Sequence, residues 1–541
     1  MKAIKQLELI PGCGTGKAGQ SRCSHKTARR LFLMALASSL LLLPGVAQGQ
    51  TYTNVTGAET SIVGSGRNDF RHDVDVSGSI TVGQGNAISV GSGDSANHGK
   101  INVSGTVTNH ANSGGGLYGT GPNTIEVGSY YDIHITNTGK VESTGTQNNG
   151  EAINVHGGGN TITIDQGGIV YAGQNNAAIW FQDENSNGGK NTVNNAGIIQ
   201  RGGTAGTDPG TVYGNVIGTS HGNGIKFVNE STGRVYGSLN FSYGDDELTF
   251  HASGMGTGSV TGNIDGGGGY NTLELTGNND DKLSGYVKNF QELNKNGAGT
   301  WTITGSMEGF QDVNVNEGVL ELLGDNRAFT GNMTINQSGM NNTATLRASS
   351  QTLSQDVLNN GFLEFRQSVD GVYTGYIHGS GGVQKTGTGR VELNHAGGNS
   401  YAGTTTIEEG TLAFGNENQI GQDDLLIGVA TTQNSAIVEF TDNIVLSADR
   451  RIDVGTVGGV INTGSYNATI ERGSTYTDIG GASTNMTASL TKTGSGTLTV
   501  KRDMLYNGDT FVDDGHLILD SAAKLGNATV LPDPLMSMFA G

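Results

Sequence analysis

The stretch Lys385-Thr386-Gly387-Thr388-Gly389-Arg390-Val391-Glu392-Leu393 decides the fold, because its pattern occurs three times in the chain. A Lys-x-Gly-x-Gly turn runs into alternating apolar residues, and the acidic-Gly-x-Leu step Glu409–Leu412 follows downstream. The other copies begin at Lys295 and Lys492. The distance from the Lys to the Gly of the closing step is nearly the same in all three copies, so the pattern is a spaced repeat.

This pattern describes one coil of a β-solenoid. A Gly-containing turn, a strand with a period of two, a connection and a second turn with its strand complete one circuit of the chain. Such a unit cannot bury its apolar face alone, so neighbouring coils must stack on one another. The predicted fold class is therefore all-β, and its architecture is a right-handed parallel β-helix, a β-solenoid.

The repeated segments resemble the autotransporter-associated β-strand repeat of bacterial type V secretion passengers. In that family the Lys-x-Gly-x-Gly turn precedes a Thr/Leu strand, and a Tyr-x-Gly step precedes the next strand. Tyr401-Ala402-Gly403 and Tyr506-Asn507-Gly508 carry this step in the second and third copies, which also share the later steps Ile420-Gly421 and Leu525-Gly526. The first copy lacks a Tyr-x-Gly in register. The resemblance implies a passenger region of an autotransporter.

Composition agrees with a chain made of paired strands. Gly accounts for 91 of the 541 residues, and between Thr51 and Leu531 the only prolines are Pro122 and Pro209. Gly allows the positive φ angles that tight corners need, whereas Pro cannot donate a ladder hydrogen bond. A disordered low-complexity linker would be rich in both residues. The composition therefore argues against a disordered linker.

The N-terminus has the pattern of a secretory signal peptide. A basic region precedes the apolar run Leu31–Leu43, and Ala47-Gln48-Gly49 places small residues before a cleavage site. We therefore expect residues 1–49 to be a signal peptide with an extended n-region, cut between Gly49 and Gln50. Both cysteines, Cys13 and Cys23, precede the cut, so the mature chain would contain none. This fits export without disulfides.

The predicted mature chain is strongly acidic. Residues 1–49 hold seven of the 30 Lys and Arg and one of the 49 acidic residues, which leaves 23 basic against 48 acidic residues, a net charge of −25. Such a chain is soluble, and its field disfavours binding to nucleic acid or anionic lipid. No nucleic-acid partner is expected.

We divide the mature chain by its local composition and its pattern of apolar residues. Residues 50–289 are predicted as an N-terminal Gly/Asn-rich β-solenoid, in which stacked Asn side chains form hydrogen-bonded ladders. Residues 290–530 are predicted as the β-solenoid with autotransporter-associated repeats and, because they are richer in large apolar residues, as the more stable half. Coils of roughly 20–25 residues are expected.

We expect residues 531–541 to form an aberrant tail. Pro532 and Pro534 interrupt a region without proline, and the alternating ten-residue strands of an outer-membrane barrel do not follow. We therefore expect a chain truncated or frame-shifted before its translocator barrel, or one whose barrel is a separate chain, and we favour truncation. The expected location is the cell surface or the medium if a barrel is supplied, and the periplasm for the chain as it stands.

The sequence contains one segment like a serine protease nucleophile. Gly93-Asp94-Ser95-Ala96 resembles the Gly-Asp-Ser element of chymotrypsin-like enzymes, but the candidate base His72 and acid Asp73 lie only about 20 residues upstream. An esterase would need its acid and His far downstream. We therefore interpret this element as a Gly/Ser turn with a polar cap.

Metal and phosphate sites are not predicted either. Gly266–Leu273 loosely matches one calcium-binding solenoid turn, but Asn271 replaces the usual Asp and no second copy adjoins it, so a structural turn is expected. The acidic clusters are interpreted as solvated turn residues; they are Asp245-Asp246-Glu247, Asp280-Asp281 and Asp423-Asp424. Lys-x-Gly-x-Gly is no phosphate loop, because no helix is expected after it. No catalytic, cofactor-binding or metal-binding residue is assigned, and no cofactor is expected.

Two functions remain open. The first is a secreted or surface-displayed passenger that acts as a non-enzymatic, rod-like adhesin or surface-interaction protein. Its partners would be a host surface, extracellular matrix or another bacterial cell, together with the outer-membrane assembly machinery if a barrel is present. The second is a β-helical passenger enzyme acting on polysaccharide, because parallel β-helices also occur in lyases and pectin hydrolases.

Overall fold

A computed structural model of the chain describes residues 51–532 with short gaps. The gaps are 60–61, 64–71, 113–120, 147–149, 183–188, 221, 242, 256–257, 338–343, 354–355, 430–434, 473–487, 505, 507, 522 and 527–529. The predicted signal peptide lies outside the described residues, as do residues 533–541. The first two residues of the predicted tail, Leu531 and Pro532, end a short strand that pairs with Thr510–Val512.

The described chain is a stack of parallel β-strands wound into coils. All pairings between its named strands are parallel, and successive strands along the chain belong to different sheets. Thr161–Ile164, Ile169–Ala172 and Ile179–Phe181, for example, lie in three separate sheets, and Asn191–Asn195 then returns to the first. We call these sheets the first, second and third faces. The prediction of a parallel β-solenoid is confirmed.

The first face is a single sheet of 15 strands. In stacking order its strands are Thr51–Val55, His72–Val76, Gly99–Val103, Tyr131–Ile135, Thr161–Ile164, Asn191–Asn195, Ile225–Asn229, Glu247–His251, Thr272–Thr276, Glu292–Lys295, Asp312–Val315, Asn332–Ile335, Asp356–Asn359, Tyr376–Gly379 and Ser400–Tyr401.

The second face consists of sheets of seven and nine strands, joined by parallel bridges from Val260 to Val235 and Leu283. Its strands are Ala58–Glu59, Ser79–Val82, Thr106–Asn109, Lys140–Ser143, Ile169–Ala172, Ile198–Arg201 and Arg234–Tyr236, then Asp281–Leu283, Thr300–Ile303, Val319–Leu322, Thr345–Ala348, Phe362–Arg366, Gly382–Thr386, Thr405–Ile407, Leu425–Ile427 and Ile452–Val454.

The third face is a sheet of ten strands. Its strands are Ile62–Val63, Ile88–Ser89, Ile125–Val127, Ile153–Val155, Ile179–Phe181, Asn215–Thr219, Ser238–Asn240, Ile264–Asp265, Val287–Lys288 and Met307–Glu308.

Two more sheets complete the C-terminal coils. The eight-stranded sheet contains Gly371–Tyr373, Arg390–Leu393, Gly410–Phe414, Ala436–Phe440, Gly459–Asn462, Leu490–Thr493, Thr510–Val512 and Val530–Pro532, and the four-stranded sheet contains Ile444–Leu446, Ala468–Ile470, Thr497–Val500 and His516–Leu519. One 3-10 helix, Glu417–Ile420, occurs among the described residues. None of the helical structure in the described residues is long and apolar enough to cross a membrane.

Coil length varies along the chain. In the repeat region Glu292 pairs with Asp312 of the next coil, whereas in the N-terminal half Asp132 pairs with Thr161, which leaves a longer stretch of chain between the partners. The expected coil length is therefore correct for the first coils of the repeat region and too short for many N-terminal coils and for the late coil in which Gly459 pairs with Leu490. The strands are equally short in both regions, so the additional residues lie in the connections, which do not pair and therefore do not fix the coil length.

Alternation of buried and exposed residues produces the core. In Asp312–Val315 and many other strands every second side chain points into the solenoid and is buried. Aromatic rings fill the interior of the middle coils: Phe250 lies 5.7 Å from Phe227 and 6.5 Å from Trp301, measured between ring centroids. The indole nitrogen of Trp301 donates to the Thr276 carbonyl at 3.1 Å, so this buried ring keeps its hydrogen bond.

Asn ladders run along the stack in the N-terminal half, as predicted, and also in the repeat region, where they were not predicted. Asn336 donates to Asn316 at 2.7 Å, and Asn316 donates to Asn296 at 2.9 Å, one side chain per coil. In the N-terminal half the fully buried Asn195 donates to Asn229 at 2.7 Å. Because each amide both donates and accepts, the column satisfies its own buried polar groups.

Candidate functional site

Each Lys-x-Gly-x-Gly segment builds a corner around a buried ammonium group. Lys295 ends a first-face strand, and its Nζ donates to the carbonyls of Asn296, Gly297 and Glu317 at 3.1, 2.6 and 2.8 Å. Glu317 belongs to the next coil, so the lysine ties its own turn to the turn stacked on it. We call this arrangement a lysine corner.

The other two copies have the same geometry. Lys385 Nζ donates to Thr386, Gly387 and Glu409 at 2.8, 2.6 and 3.0 Å, and Lys492 Nζ to Thr493, Gly494 and Asp514 at 2.8, 2.7 and 3.0 Å. In each copy the acidic residue of the closing step contributes its main-chain carbonyl. The sequence pattern is therefore explained by three charge-assisted hydrogen bonds per corner.

The glycines of the motif have two different roles. The first, represented by Gly387, has a φ of 74° and makes the left-handed turn that presents its carbonyl to the lysine. The second, represented by Gly299, lies directly against the coil below it, where a Cβ would come within 1.9 Å of the Asn279 carbonyl oxygen. Conformation requires one glycine and close stacking requires the other.

Burial lowers the pKa of Lys295, Lys385 and Lys492 to about 8 in each case. The acidic residues of the closing steps, Glu317, Glu409 and Asp514, act in the opposite direction. A pKa near 8 keeps the ammonium form dominant at neutral pH, and this form donates all three hydrogen bonds. The lysine corners are thus charged, buried and fully engaged under ordinary conditions.

The three lysine corners occupy different faces. Lys295 belongs to the first face, Lys385 to the second face and Lys492 to the eight-stranded sheet, which follows the second face in chain order. The position of the motif thus advances by one face from each copy to the next. The sequence could not show which face each copy of the motif lies on. The three copies have the same local pattern, and this pattern does not reveal how many coils lie between one copy and the next.

The two Tyr-x-Gly steps explain the later Gly steps of the same copies. Tyr401 is fully buried and its hydroxyl bonds the Thr405 hydroxyl at 2.7 Å. A Cβ on Gly421 would come within 2.5 Å of the Tyr401 ring, so the glycine lets the coils approach. Tyr506, Thr510 and Gly526 are arranged in the same way in the third copy.

The protease-like element is a surface turn. Asp94 accepts hydrogen bonds from the main-chain nitrogens of Ala96 and Asn97 at 2.7 and 3.2 Å, and Ser95 is exposed beside it. The Asp73 carboxylate accepts from the Lys100 main-chain nitrogen at 2.9 Å, and His72 Nε2 bonds the Thr53 hydroxyl at 2.8 Å. The interpretation of Gly93–Ala96 as a turn with a polar cap is confirmed.

Gly266–Leu273 is a structural turn, as expected. Asn271 is fully buried and donates to the carbonyls of Gly266 and Asn289 at 2.8 Å each. Its oxygen accepts from the Asp246 main-chain nitrogen at 2.9 Å, which joins the turn to the coil before it. Asn at this position thus closes the turn with hydrogen bonds.

The acidic clusters are not uniformly solvated, and for two residues the expectation is wrong. Asp246 is buried, accepts from the Ile225 main-chain nitrogen at 2.6 Å, and has its pKa raised to about 7 by that burial. Asp281 is also buried and accepts from Ser253 at 2.9 Å. Both carboxylates accept hydrogen bonds from main-chain nitrogens of neighbouring coils. A cluster of acidic residues in the sequence does not reveal this role.

Sequence reasoning missed a buried polar cluster on the third face. Glu126 accepts from Asn86 and Ser89 at 2.8 Å each, and its other oxygen lies 3.4 Å from His156 Nε2. Glu151 lies close enough to Glu126 for their charges to repel, and burial, the largest cause, raises the pKa of Glu151 to about 7. A carboxyl and imidazole cluster of this kind could transfer protons, but it is shielded from solvent.

A signal for this cluster exists in the sequence. The segments around it share a core of alternating Ile and Val with polar residues between and before them. They are Asn86-Ala87-Ile88-Ser89-Val90, Asn123-Thr124-Ile125-Glu126-Val127 and Glu151-Ala152-Ile153-Asn154-Val155. Their irregular spacing along the chain hides the repeat. In the part of the chain that the structure describes, no group of three or more His, Cys, Asp or Glu side chains is arranged to hold a metal ion.

Comparison with known proteins gives the lysine corners a family context. The model of the passenger-associated-transport-repeat matches residues 293–322, 383–414 and 490–519, each of which starts on the lysine strand and ends with the strand after the closing turn. The resemblance noted in the sequence is confirmed. No solved structure matches the chain.

Two curated relatives are informative. The chain is 28% identical over 346 residues to an uncharacterised lipoprotein, YdeK, of Escherichia coli (strain K12), across 56% of this chain and 25% of the relative. It is 31% identical over 147 residues to the adhesin BmaC autotransporter of Brucella suis biovar 1 (strain 1330), across 27% of this chain and 4% of that protein. The chain thus spans a quarter or less of the length of these relatives.

Proposed function

We propose that this chain, a parallel β-solenoid carrying three passenger-associated transport repeats, is the passenger region of an autotransporter. In this proposal it is exported and acts at the cell surface as a non-enzymatic adhesin or surface-interaction protein. Its partners would be a host surface, extracellular matrix or another bacterial cell. The observation that carries the proposal is the lysine corner, since all three copies coincide with the matched repeats.

The physical properties of the solenoid suit this role. Each coil contacts its neighbours along the stack, so a long continuous surface can be formed from short local elements. The described strands belong to a fold in which main-chain hydrogen bonding is satisfied between coils and needs no disulfides. A long surface with many polar side chains supports binding through numerous modest contacts.

The test is surface display. The full chain fused to an autotransporter translocator should become sensitive to protease added to intact cells, and these cells should attach to host cells or matrix more than cells with the translocator alone. Surface exposure without any gain in attachment to host cells, matrix or other bacteria would contradict the adhesin role. Failure of the folded chain to be exposed would contradict the passenger role.

A polysaccharide-active enzyme is the second candidate. The observation in its favour is the buried carboxyl of Glu151 beside Glu126, because burial raises the pKa of Glu151 to about 7 and a carboxylic acid with a raised pKa is what glycoside chemistry uses as its general acid. Against it, both side chains are buried. Release of reducing ends from neutral or acidic polysaccharides by the purified chain, abolished by Glu151→Gln, would favour the enzyme.

A further inference from the structure

The third face is interrupted in the middle of the molecule. It ends at Met307–Glu308, and the next strand in an equivalent chain position is Gly371–Tyr373 of the eight-stranded sheet. Two coils intervene, and in the first of them a loop that includes residues 324–331 takes the place of a strand. Phe329 and Asn326 anchor this loop, since both are buried and Asn326 accepts from the Met307 main-chain nitrogen at 2.7 Å.

A groove lies between this loop and the outer side of the first face. Its volume is about 540 Å³, within the range of roughly 300–1,000 Å³ that is usual for small-molecule sites. Strands Asp312–Val315, Asn332–Ile335, Asp356–Asn359 and Tyr376–Gly379 contribute its floor. Because four consecutive coils contribute, the groove runs along the stack and suits an elongated ligand.

The lining combines polar side chains with a ring. Asp312, Asn332 and Asp356 offer two carboxylates and an amide, and Asn332 donates to Asp312 at 2.8 Å. His378 lines the groove and stacks on Tyr376 with ring centroids 5.0 Å apart and planes at 10°. A further ring, His395, lies 5.3 Å from Tyr376, so the aromatic surface continues beyond the groove.

Charge decides which polar ligand fits. Arg327 lines the groove, but its guanidinium is held by Asp325 through bonds of 2.9 and 2.6 Å, so it offers no uncompensated positive charge. Asp312 and Asp356 make the groove negative, and the whole chain carries −19. Such a field disfavours phosphates, sulfates and acidic sugars. The ligand therefore carries no negative charge.

We infer that this groove binds a neutral saccharide chain. Carboxylates and amides accept hydrogen bonds from sugar hydroxyls, and the faces of aromatic and imidazole rings pack against the C–H side of a pyranose. The four coils would contact successive sugar units. The inference rests on the proposed function in one respect, because it identifies the class of partner that a displayed passenger would recognise.

Binding of the purified full chain to an array of neutral, sialylated and sulfated oligosaccharides tests the inference. We expect binding of neutral oligosaccharides, and His378→Ala and Asp356→Asn should each weaken the affinity about tenfold. Tyr376→Phe keeps the ring and should retain binding, whereas Tyr376→Ala should lose it. His134→Ala is the matched control, since His134 also projects from the first face and is half-buried.

Several results would overturn the inference. The folded wild-type chain could fail to bind neutral saccharides, or His378→Ala could bind them with unchanged affinity. The chain could also prefer the sulfated ligands, or bind a cationic peptide and no saccharide. Display on cells separates this inference from the proposed function. Cells carrying groove variants that attach as well as wild type would leave the adhesin role intact and disprove the groove as its site.

Discussion

Lys295 shows how one residue can determine a local fold. Its stem crosses the interior of the corner, and its ammonium meets three carbonyls from two successive coils. A neutral side chain of the same length would fill the space and leave those carbonyls without this donor. The cost of such a loss is larger than the net gain from an ordinary hydrogen bond, because the acceptors stay buried.

The first prediction concerns this residue. Lys295→Met should lower the free energy of unfolding by roughly 3 kcal/mol or more, since methionine keeps the apolar stem and removes all three bonds. Urea unfolding can be followed through the fluorescence of the buried Trp301 in a Trp180→Phe background. Lys226→Met, on an exposed first-face position, is the control and should unfold like the parent. Equal midpoints for both variants would contradict the role of the corner.

The second prediction concerns pH and Glu151. Burial raises the pKa of Glu151 from 4.5 to about 7, so the folded chain holds this proton more tightly than the unfolded chain does. The resulting stability is fully present below about pH 4.5 and is lost as the pH rises through about 7, by at most about 3 kcal/mol.

Glu151→Gln should remove this part of the pH dependence. Unfolding free energies of the parent and the variant, measured across the same pH range, should differ by an amount that changes between about pH 4.5 and about pH 7 and is constant on either side. Asp246, whose carboxyl is also buried with a pKa of about 7, provides an independent comparison through Asp246→Asn. A constant difference between the parent and Glu151→Gln would refute the assignment.

At the scale of the element, each coil consists of short strands joined by corners. The second glycine of the motif sets how closely a corner stacks on the coil below it. Gly299 lies against the Asn279 carbonyl of the coil below, so a methyl group there must separate the two coils. The strands on either side are short and gain their stability from stacking. A small separation at one corner should therefore weaken the pairing of the strands on both sides of it.

The third prediction follows from this contact. Gly299→Ala should destabilise the repeat region by roughly 1–3 kcal/mol through overpacking. Gly83→Ala is the matched control, because a Cβ at Gly83 meets no atom within 4 Å and its φ needs no special residue. Hydrogen exchange of Glu292–Lys295 and Thr300–Ile303 should be faster in Gly299→Ala alone. Unchanged protection of these strands would show that the coils can absorb the methyl group.

The elements of the repeat region could be predicted from the sequence, and most other features could not. Thr300–Ile303 and Val319–Leu322 alternate and follow Gly turns, so local pattern and tertiary stacking favour the same structure. The N-terminal coil length depends on unpaired connections, and the Glu126 cluster depends on three segments whose spacing along the chain is irregular. The groove requires the interruption after Met307–Glu308, which is an absence that no local motif encodes.

At the scale of the whole molecule, stability is the sum of coils and their interfaces. The aromatic core is continuous through the middle coils, where Phe290 stacks on Phe310 at 5.9 Å and Phe365 lies 5.0 Å from Tyr373. Phe414 and Phe440 continue this pattern at 5.5 Å. The N-terminal coils rely more on Val and Ile.

The fourth prediction is that residues 290–520 form the more protease-resistant part. Larger buried side chains give more stabilisation per coil, so the C-terminal coils should open to a protease less often. Limited proteolysis of the full chain, read by mass spectrometry, should first remove fragments from residues 50–245 and leave a C-terminal core. Faster digestion of the C-terminal half would contradict this ordering.

The advance of the lysine corner by one face per copy has an evolutionary consequence. A corner that depends only on its own turn and on the turns directly below and above it can be inserted at any of the three edges of the winding. A gene duplication therefore need not copy a whole number of coils to yield a chain that still folds. Such freedom lets a passenger lengthen in small increments while its sheets stay in register. It also accounts for repeats that share one sequence pattern and lie on different faces of the solenoid.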